Sequence, residues 1–246
     1  KPLVPVRSEI AFVKKVIMKD LTKKSILKLK QSSTLVINEK CKQLINQGKK
    51  VYQFGFGQSP FPVPEKIVSE LKKNAHKKEY LPIQGLPELR EAISNYLFKK
   101  TGSIYPKENI IITPGSKEAM LLMHVAFNGE IILPAPSWVS YEPQAQIGLN
   151  KVHWLQTSRE NNWFPSPIEL ESKIKTIKKN KNIILILNSP NNPSGTVCKN
   201  LREIAKISKK YKLTIVSDEI YSNLTFNNKY ESISNFYPEG TIVSSG

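Results

Sequence analysis

Short apolar runs alternate with stretches of helical period along most of the chain. The runs at 109–113 ("NIIIT"), 130–134 ("EIILP"), 151–155 ("KVHWL"), 182–187 ("NIILIL"), 213–218 ("LTIVSD") and 241–245 ("TIVSS") each predict a strand. A further short strand is predicted at 51–54 ("VYQF"). Helices are predicted at 33–50, closing at Gly48, and at 64–78 and 86–100, where Pro64 and Pro87 stand in the first turn. In the last of these Leu89, Ile93, Tyr96 and Leu97 line one face. Further helices follow 113 and 134, start at Pro167, and span 201–211. Near-continuous apolar strands alternating with helices predict a mostly parallel sheet covered on both faces, a three-layer α/β/α arrangement. Ligands of such sheets gather at the carboxyl ends of the strands.

Composition changes this picture little. With 39% hydrophobic and 23% charged residues, the 246-residue chain has an ordinary globular make-up. No apolar run approaches the roughly 20 residues of a membrane span. Cys41 and Cys198 are too few for a disulfide framework, so a reducing compartment, the cytoplasm, is expected. Three scattered histidines and these two cysteines lack ligand spacing, so no metal site is expected. The formal charge of +17 raises the question of nucleic acid. Its lysines fall in solvated stretches such as "KIKTIKKNKN", with no interleaved aromatics to stack on bases. Salt-sensitive adhesion to polyanions is expected, but no specific nucleic-acid partner. Near the start, Ile10, Val13, Ile17 and Leu21 recur at helical spacing among lysines. Glu9 and Asp20 interrupt that charge, which favours a peripheral docking helix over a targeting peptide.

The unusual turns all sit at predicted strand ends. "TPGSKEA" puts Gly115, Ser116 and Lys117 at a helix start, where free N–H groups suit an anion such as phosphate or simply cap the helix. It is not a Walker loop, and "GFGQSP" lacks the third glycine of the dinucleotide fingerprint. Trp138 in "PAPSWVSY" either stacks on a planar ligand or packs under its loop. Asp218 in "VSDEIY" follows an apolar strand, where a carboxylate needs a cation unless it caps a turn. "LNSPNNPSGTV" (187–197) spends three asparagines on one strand-to-helix connection, more than capping requires. Phosphate, a flat ring, a ring cation and a ring oxygen are together the features of pyridoxal 5′-phosphate.

The motifs "FGFGQSPF", "YLPIQGLPELREAI", "TPGSKEA", "PAPSWVSY", "NSPNNPSGTV" and "VSDEIY" resemble, in order and spacing, those of the class I/II aminotransferases of the pyridoxal-phosphate fold-type I superfamily. The likeness runs from about residue 33 to 246. It implies the large domain of that fold over 64–246, incomplete at its carboxyl end, after an N-terminal helical arm and the start of a small domain over 1–63. By resemblance, Gly115, Ser116 and Lys117 would cradle the cofactor phosphate and Trp138 would stack on the ring. Asn192 and Tyr221 would bind its phenolic oxygen, and Asp218 its protonated nitrogen. Gly57 would lie by the substrate carboxylate. Tyr80 would reach the phosphate of a neighbouring subunit, implying a homodimer acting on amino acids and 2-oxo acids. Pro136 and Pro193 would follow cis bonds. Carbon–sulfur lyases and aminocyclopropane-carboxylate-type synthases share the scaffold and stay open as alternatives, as does a non-catalytic cofactor- or nucleotide-binding protein.

The family's Schiff-base lysine comes a few residues after the strand written here as "TIVSSG", so it is expected just beyond Gly246. No catalytic residue is expected within the chain, since Lys117 belongs to the phosphate turn and the other lysines match no such motif. The expectation is therefore a piece of a longer enzyme, inactive alone, with a natural truncation that has lost catalysis as the alternative.

Overall fold

A computed structural model describes residues 22–29, 33–55, 57, 59–177, 181–226 and 230–246. The basic segment with Ile10, Val13, Ile17 and Leu21 lies outside the described residues. The chain forms two compact units, one of residues 29–83 and one of 84–246 together with the described residues up to Lys28.

In the larger unit, α1 (Lys24–Leu27) is followed after the smaller unit by α4 (Pro87–Thr101), α5 (Ser116–Ala126), β1 (Glu130–Ala135) and α6 (Tyr141–Ile147). Then come β2 (Lys151–Gln156), α7 (Pro167–Thr176), β3 (Ile183–Asn188), α8 (Leu201–Lys210), β4 (Thr214–Asp218) and β5 (Thr241–Ser244). The smaller unit holds α2 (Ser33–Asn46) and α3 (Glu65–Asn74). α2 is followed by Gly48 in the left-handed region, at φ 77°.

The five strands are all parallel, in the order β2-β1-β3-β4-β5. β3 is buried at every position because apolar layers cover both faces. On one face Ile131, Leu133, Ile184, Ile186 and Val216 pack with Met120 of α5 and Tyr141 and Ala145 of α6. On the other, Leu185, Leu187 and Ile215 pack with α7 and α8 through residues such as Leu170, Ile174 and Ile204. These are the three α/β/α layers. α7 begins where Pro167 predicts: the Ser166 hydroxyl accepts from the Glu169 N–H at 3.2 Å, and the Glu169 carboxylate accepts from the Ser166 N–H at 2.8 Å.

Two predicted strands are absent among the described residues. At 109–113, a 3₁₀ turn (Lys107–Asn109) consumes the start, and the run then makes a backbone bond from the Ile112 N–H to the Gln84 carbonyl at 2.9 Å. Ile111 is exposed there. Residues 51–54 are irregular, with Tyr52 and Phe54 exposed.

Candidate active site

Strand order reverses between β1 and β3. From β1 the chain crosses outward to β2, then returns past β1 to build β3, β4 and β5. The loops leaving β1 and β3 therefore part at their carboxyl ends, and that opening is where a parallel sheet admits a ligand.

Past β1, the chain makes a cis Ala135–Pro136 bond and reaches Trp138, half-buried. The Trp138 ring meets the Tyr141 ring edge-on, with centroids 5.2 Å apart and planes at 80°. Tyr141 opens α6, and its hydroxyl donates to Asp218 Oδ2 at 2.5 Å.

Asp218 ends β4 and is 4% exposed. Its Oδ1 accepts from the Ile220 N–H at 3.3 Å. Among the described residues no lysine, arginine or histidine lies within ion-pair distance of it. Burial pushes this carboxyl above the usual carboxylate range, and the hydrogen bonds from Tyr141 and Ile220 offset only part of the rise. Burial, followed by the nearby Asp218 charge, raises the Tyr141 phenol far above its ordinary value, so it stays a donor.

At the end of β3, Asn188 stands in register with Asp218. Its amide donates to the Asp218 carbonyl at 2.9 Å, and its Oδ1 accepts from the Asn192 N–H at 2.7 Å. Asn191 Oδ1 accepts from the N–H and the hydroxyl of Ser194, at 3.0 and 2.8 Å. The Ser189–Pro190 and Asn192–Pro193 bonds are both cis. Two of the asparagines thus fold the turn, and the third projects from it. Asn192 Nδ2 donates to the Tyr221 hydroxyl at 3.2 Å. The Tyr221 proton and the second amide proton of Asn192 remain for an acceptor lying against both.

The start of α5 completes the cluster. Gly115 precedes the helix at φ 101°, and a Cβ there would meet nothing within 4 Å, so the demand for glycine is conformational rather than steric. The N–H groups of Ser116 and Lys117 have no acceptor inside the helix and sit at its positive end. Lys117 Nζ lies 5.9 Å from the Trp138 ring centroid, and Gln144 Nε2 of α6 donates to the Lys117 carbonyl at 2.8 Å. Contacts therefore run unbroken from Lys117 through Trp138, Tyr141 and Asp218 to Asn192 and Tyr221.

This arrangement offers donors for an anion, an indole for a flat ring, a buried carboxylate with no cation beside it among the described residues, and paired donors for a ring oxygen. A family model for aminotransferase class I and II matches residues 49–245. The chain belongs to the class I and II aminotransferase family. It is 33% identical over 213 residues to an aspartate aminotransferase of Thermotoga maritima, covering 82% of this chain and 54% of that relative. It is 32% identical over 210 residues to an asparagine–oxo-acid transaminase of Streptococcus mutans, covering 82% of this chain and 52% of that protein. The solved aspartate aminotransferase from Thermus thermophilus with maleate superposes at a TM-score of 0.83 with 29% identity, covering 92% of this chain and 60% of that one. The chain thus spans about half the length of the curated relatives it matches.

Of the aminotransferase positions expected from sequence, Gly115, Ser116, Lys117, Trp138, Asn192, Asp218 and Tyr221 all fall in this cluster. Tyr80 and Gly57 belong to the unit of residues 29–83, both exposed within it. Among the described residues no group of three or more His, Cys, Asp or Glu could hold a metal ion. Sequence reading passed over Tyr141, Asn188 and Gln144. The signal for Tyr141 was its place three residues after Trp138 at a helix start. That for Asn188 was a polar residue closing a fully apolar strand.

Proposed function

We propose that the complete protein moves an amino group between an amino acid and a 2-oxo acid, with pyridoxal 5′-phosphate as cofactor. The observation that carries this reading is Asp218: a buried carboxylate with no cation beside it among the described residues, bounded by the donors and the indole that the cofactor's other groups require. Family membership supports it.

When bound, the cofactor supplies an aldehyde that takes up an amino group and a ring that withdraws electrons. The chain's own residues bind and orient it. The Ser116 and Lys117 N–H groups and the Ser116 hydroxyl bind the phosphate at the helix start. Trp138 lies against the ring, while Asn192 and Tyr221 donate to its phenolic oxygen. Asp218 holds a proton on the ring nitrogen, its charge steadied by the Tyr141 hydroxyl. Gly57 leaves room for the substrate carboxylate. Tyr80 serves the phosphate site of a neighbouring subunit, which makes the working enzyme a homodimer. Division into an arm and small-domain segment over 1–63 and a cofactor domain from residue 64 belongs to the same reading, as does a cytoplasmic setting. Among the described residues no helix is long and apolar enough to cross a membrane.

Several relatives are aspartate aminotransferases, so aspartate is the amino donor we propose first. The complete protein, supplied with pyridoxal phosphate, aspartate and a 2-oxo acid, is expected to form oxaloacetate together with the second amino acid. Release of ammonia or a thiol from amino acids, with no dependence on an added oxo acid, would contradict the transferase reading.

A further inference from the structure

Asp218 is followed by a second buried acid that the cofactor site does not use. Glu219 is 5% exposed, and its N–H donates to the Ser244 carbonyl at 2.8 Å, carrying the β4–β5 pairing one residue past the strand. Alternation along the strand sends the two carboxyls to opposite faces of the sheet. Asp218 shares the Val216 face and meets Tyr141, whereas Glu219 meets Ser217 and Ser232 beside the layer that contains Ile215 and Ile233.

Glu219 Oε1 accepts from the Ser217 hydroxyl at 2.9 Å and from the Ser232 hydroxyl at 2.5 Å. Ser232 in turn hydrogen-bonds Ser234 at 2.7 Å, and Ser234 hydrogen-bonds the Tyr105 hydroxyl. Behind the same turn, Lys100 Nζ donates to Ser222 Oγ at 3.0 Å and Asn223 Oδ1 at 2.7 Å. Burial raises the Glu219 carboxyl, and hydrogen bonds from Ser232, Tyr230 and Ser217 with the Lys100 charge pull the other way. A buried acid held by neutral donors is an expensive way to fill space, since an apolar side chain of similar volume is often as stabilising or more so. What the acid adds is fixed direction.

That direction bears on the site through the backbone. The Glu219 carbonyl accepts from the Ser222 N–H at 2.9 Å and the Tyr221 carbonyl from the Leu224 N–H at 2.9 Å, closing the turn that carries Tyr221. The first amide inside that turn, Ile220, is the one bound to Asp218 Oδ1. Movement of the turn would therefore release both the Asp218 carboxylate and the Tyr221 hydroxyl.

We propose that Glu219 is a positioning residue: by gripping Ser217 and Ser232 on the opposite face of the sheet, it anchors the turn that aims Asp218 and Tyr221 into the cofactor site. The proposal rests on the cofactor reading above. Its test uses the complete protein in three variants. Glu219→Gln keeps an acceptor, Glu219→Ala removes it, and Ser232→Ala removes one donor while leaving the strand intact. Two quantities are measured, the dissociation constant for pyridoxal phosphate and, without cofactor, hydrogen exchange at the Ile220 and Ser222 amides. Glu219→Ala is expected to weaken binding by about tenfold or more and to speed exchange at both amides. Ser232→Ala is expected to do the same to a smaller degree, and Glu219→Gln to stay within about threefold of wild type.

A folded Glu219→Ala protein with wild-type affinity and exchange overturns the proposal, even if its melting temperature falls. So does a Glu219→Gln variant as damaged as the alanine. Should Glu219→Ala fail to fold, unchanged affinity and exchange in Ser232→Ala overturns it. A wild-type protein that takes up no pyridoxal phosphate contradicts the functional reading instead, and the exchange measurement then decides the positioning role by itself.

Discussion

At the scale of single residues, the hydroxyl of Tyr141 and the carboxylate of Asp218 form the pair on which the site's electrostatics turn. A buried carboxylate without a cation is costly, and one short hydrogen bond from a phenol is a partial remedy. A hydrogen bond to a charged group is worth about 1.5–3 kcal/mol. Tyr141→Phe keeps the ring against Trp138 and removes only the donor. We expect Asp218 to titrate at higher pH in that variant without cofactor, followed through the carboxyl carbon resonance. An unchanged titration would show that the phenol does not stabilise the charged form. Asp218 was legible in the sequence because a charge directly after an apolar strand stands out in one dimension. Tyr141 was not, because its importance comes from a contact spanning 77 positions.

Among elements, α5 carries two roles at opposite ends. Its first turn offers the free N–H groups of the site, while His124 near its end is fully buried, at 0% exposure. Burial lowers the His124 pKa to about 4, with Asn150 a minor opposing influence. The unfolded chain takes up a proton near the ordinary value of 6.5 and the folded one only near 4, so the unfolded state binds more protons between them. His124 therefore makes stability fall as the pH drops from about 6.5 towards 4, by up to about 3 kcal/mol. Thermal melts of His124→Leu should lose much of the pH dependence that wild type shows over this window. An identical slope in both proteins would rule out His124 as its source. Strands β1 to β5 were readable from the sequence because each apolar run has neighbours to pair with and helices to cover it. The run at 109–113 has the same pattern, but a strand exists only where a neighbouring strand continues the ladder of hydrogen bonds. Here the chain meets the Gln84 carbonyl instead. Pattern reports burial on average and says nothing of the partner.

For the whole molecule, the parallel sheet explains why residues from 138 to 221 meet in one place, and α5 brings residues 115–117 to them by packing on the face that carries Tyr141. Each strand delivers its loop to the same edge, and the reversal between β1 and β3 opens the space there. The fold class was legible because the alternation of runs and helices spans most of the chain. The convergence was legible as a list of strand ends. The hydrogen bonds that lock it through Asn188 were not, since they depend on the register between β3 and β4. The most direct test of the account is the affinity of the complete protein for pyridoxal phosphate, read from the cofactor's absorbance, in wild type and in Asp218→Ala. Removing one member of a buried charge pair costs about 3–5 kcal/mol, so the variant should bind at least about a hundredfold more weakly. Equal affinity and an unchanged absorbance band in the two proteins would contradict it.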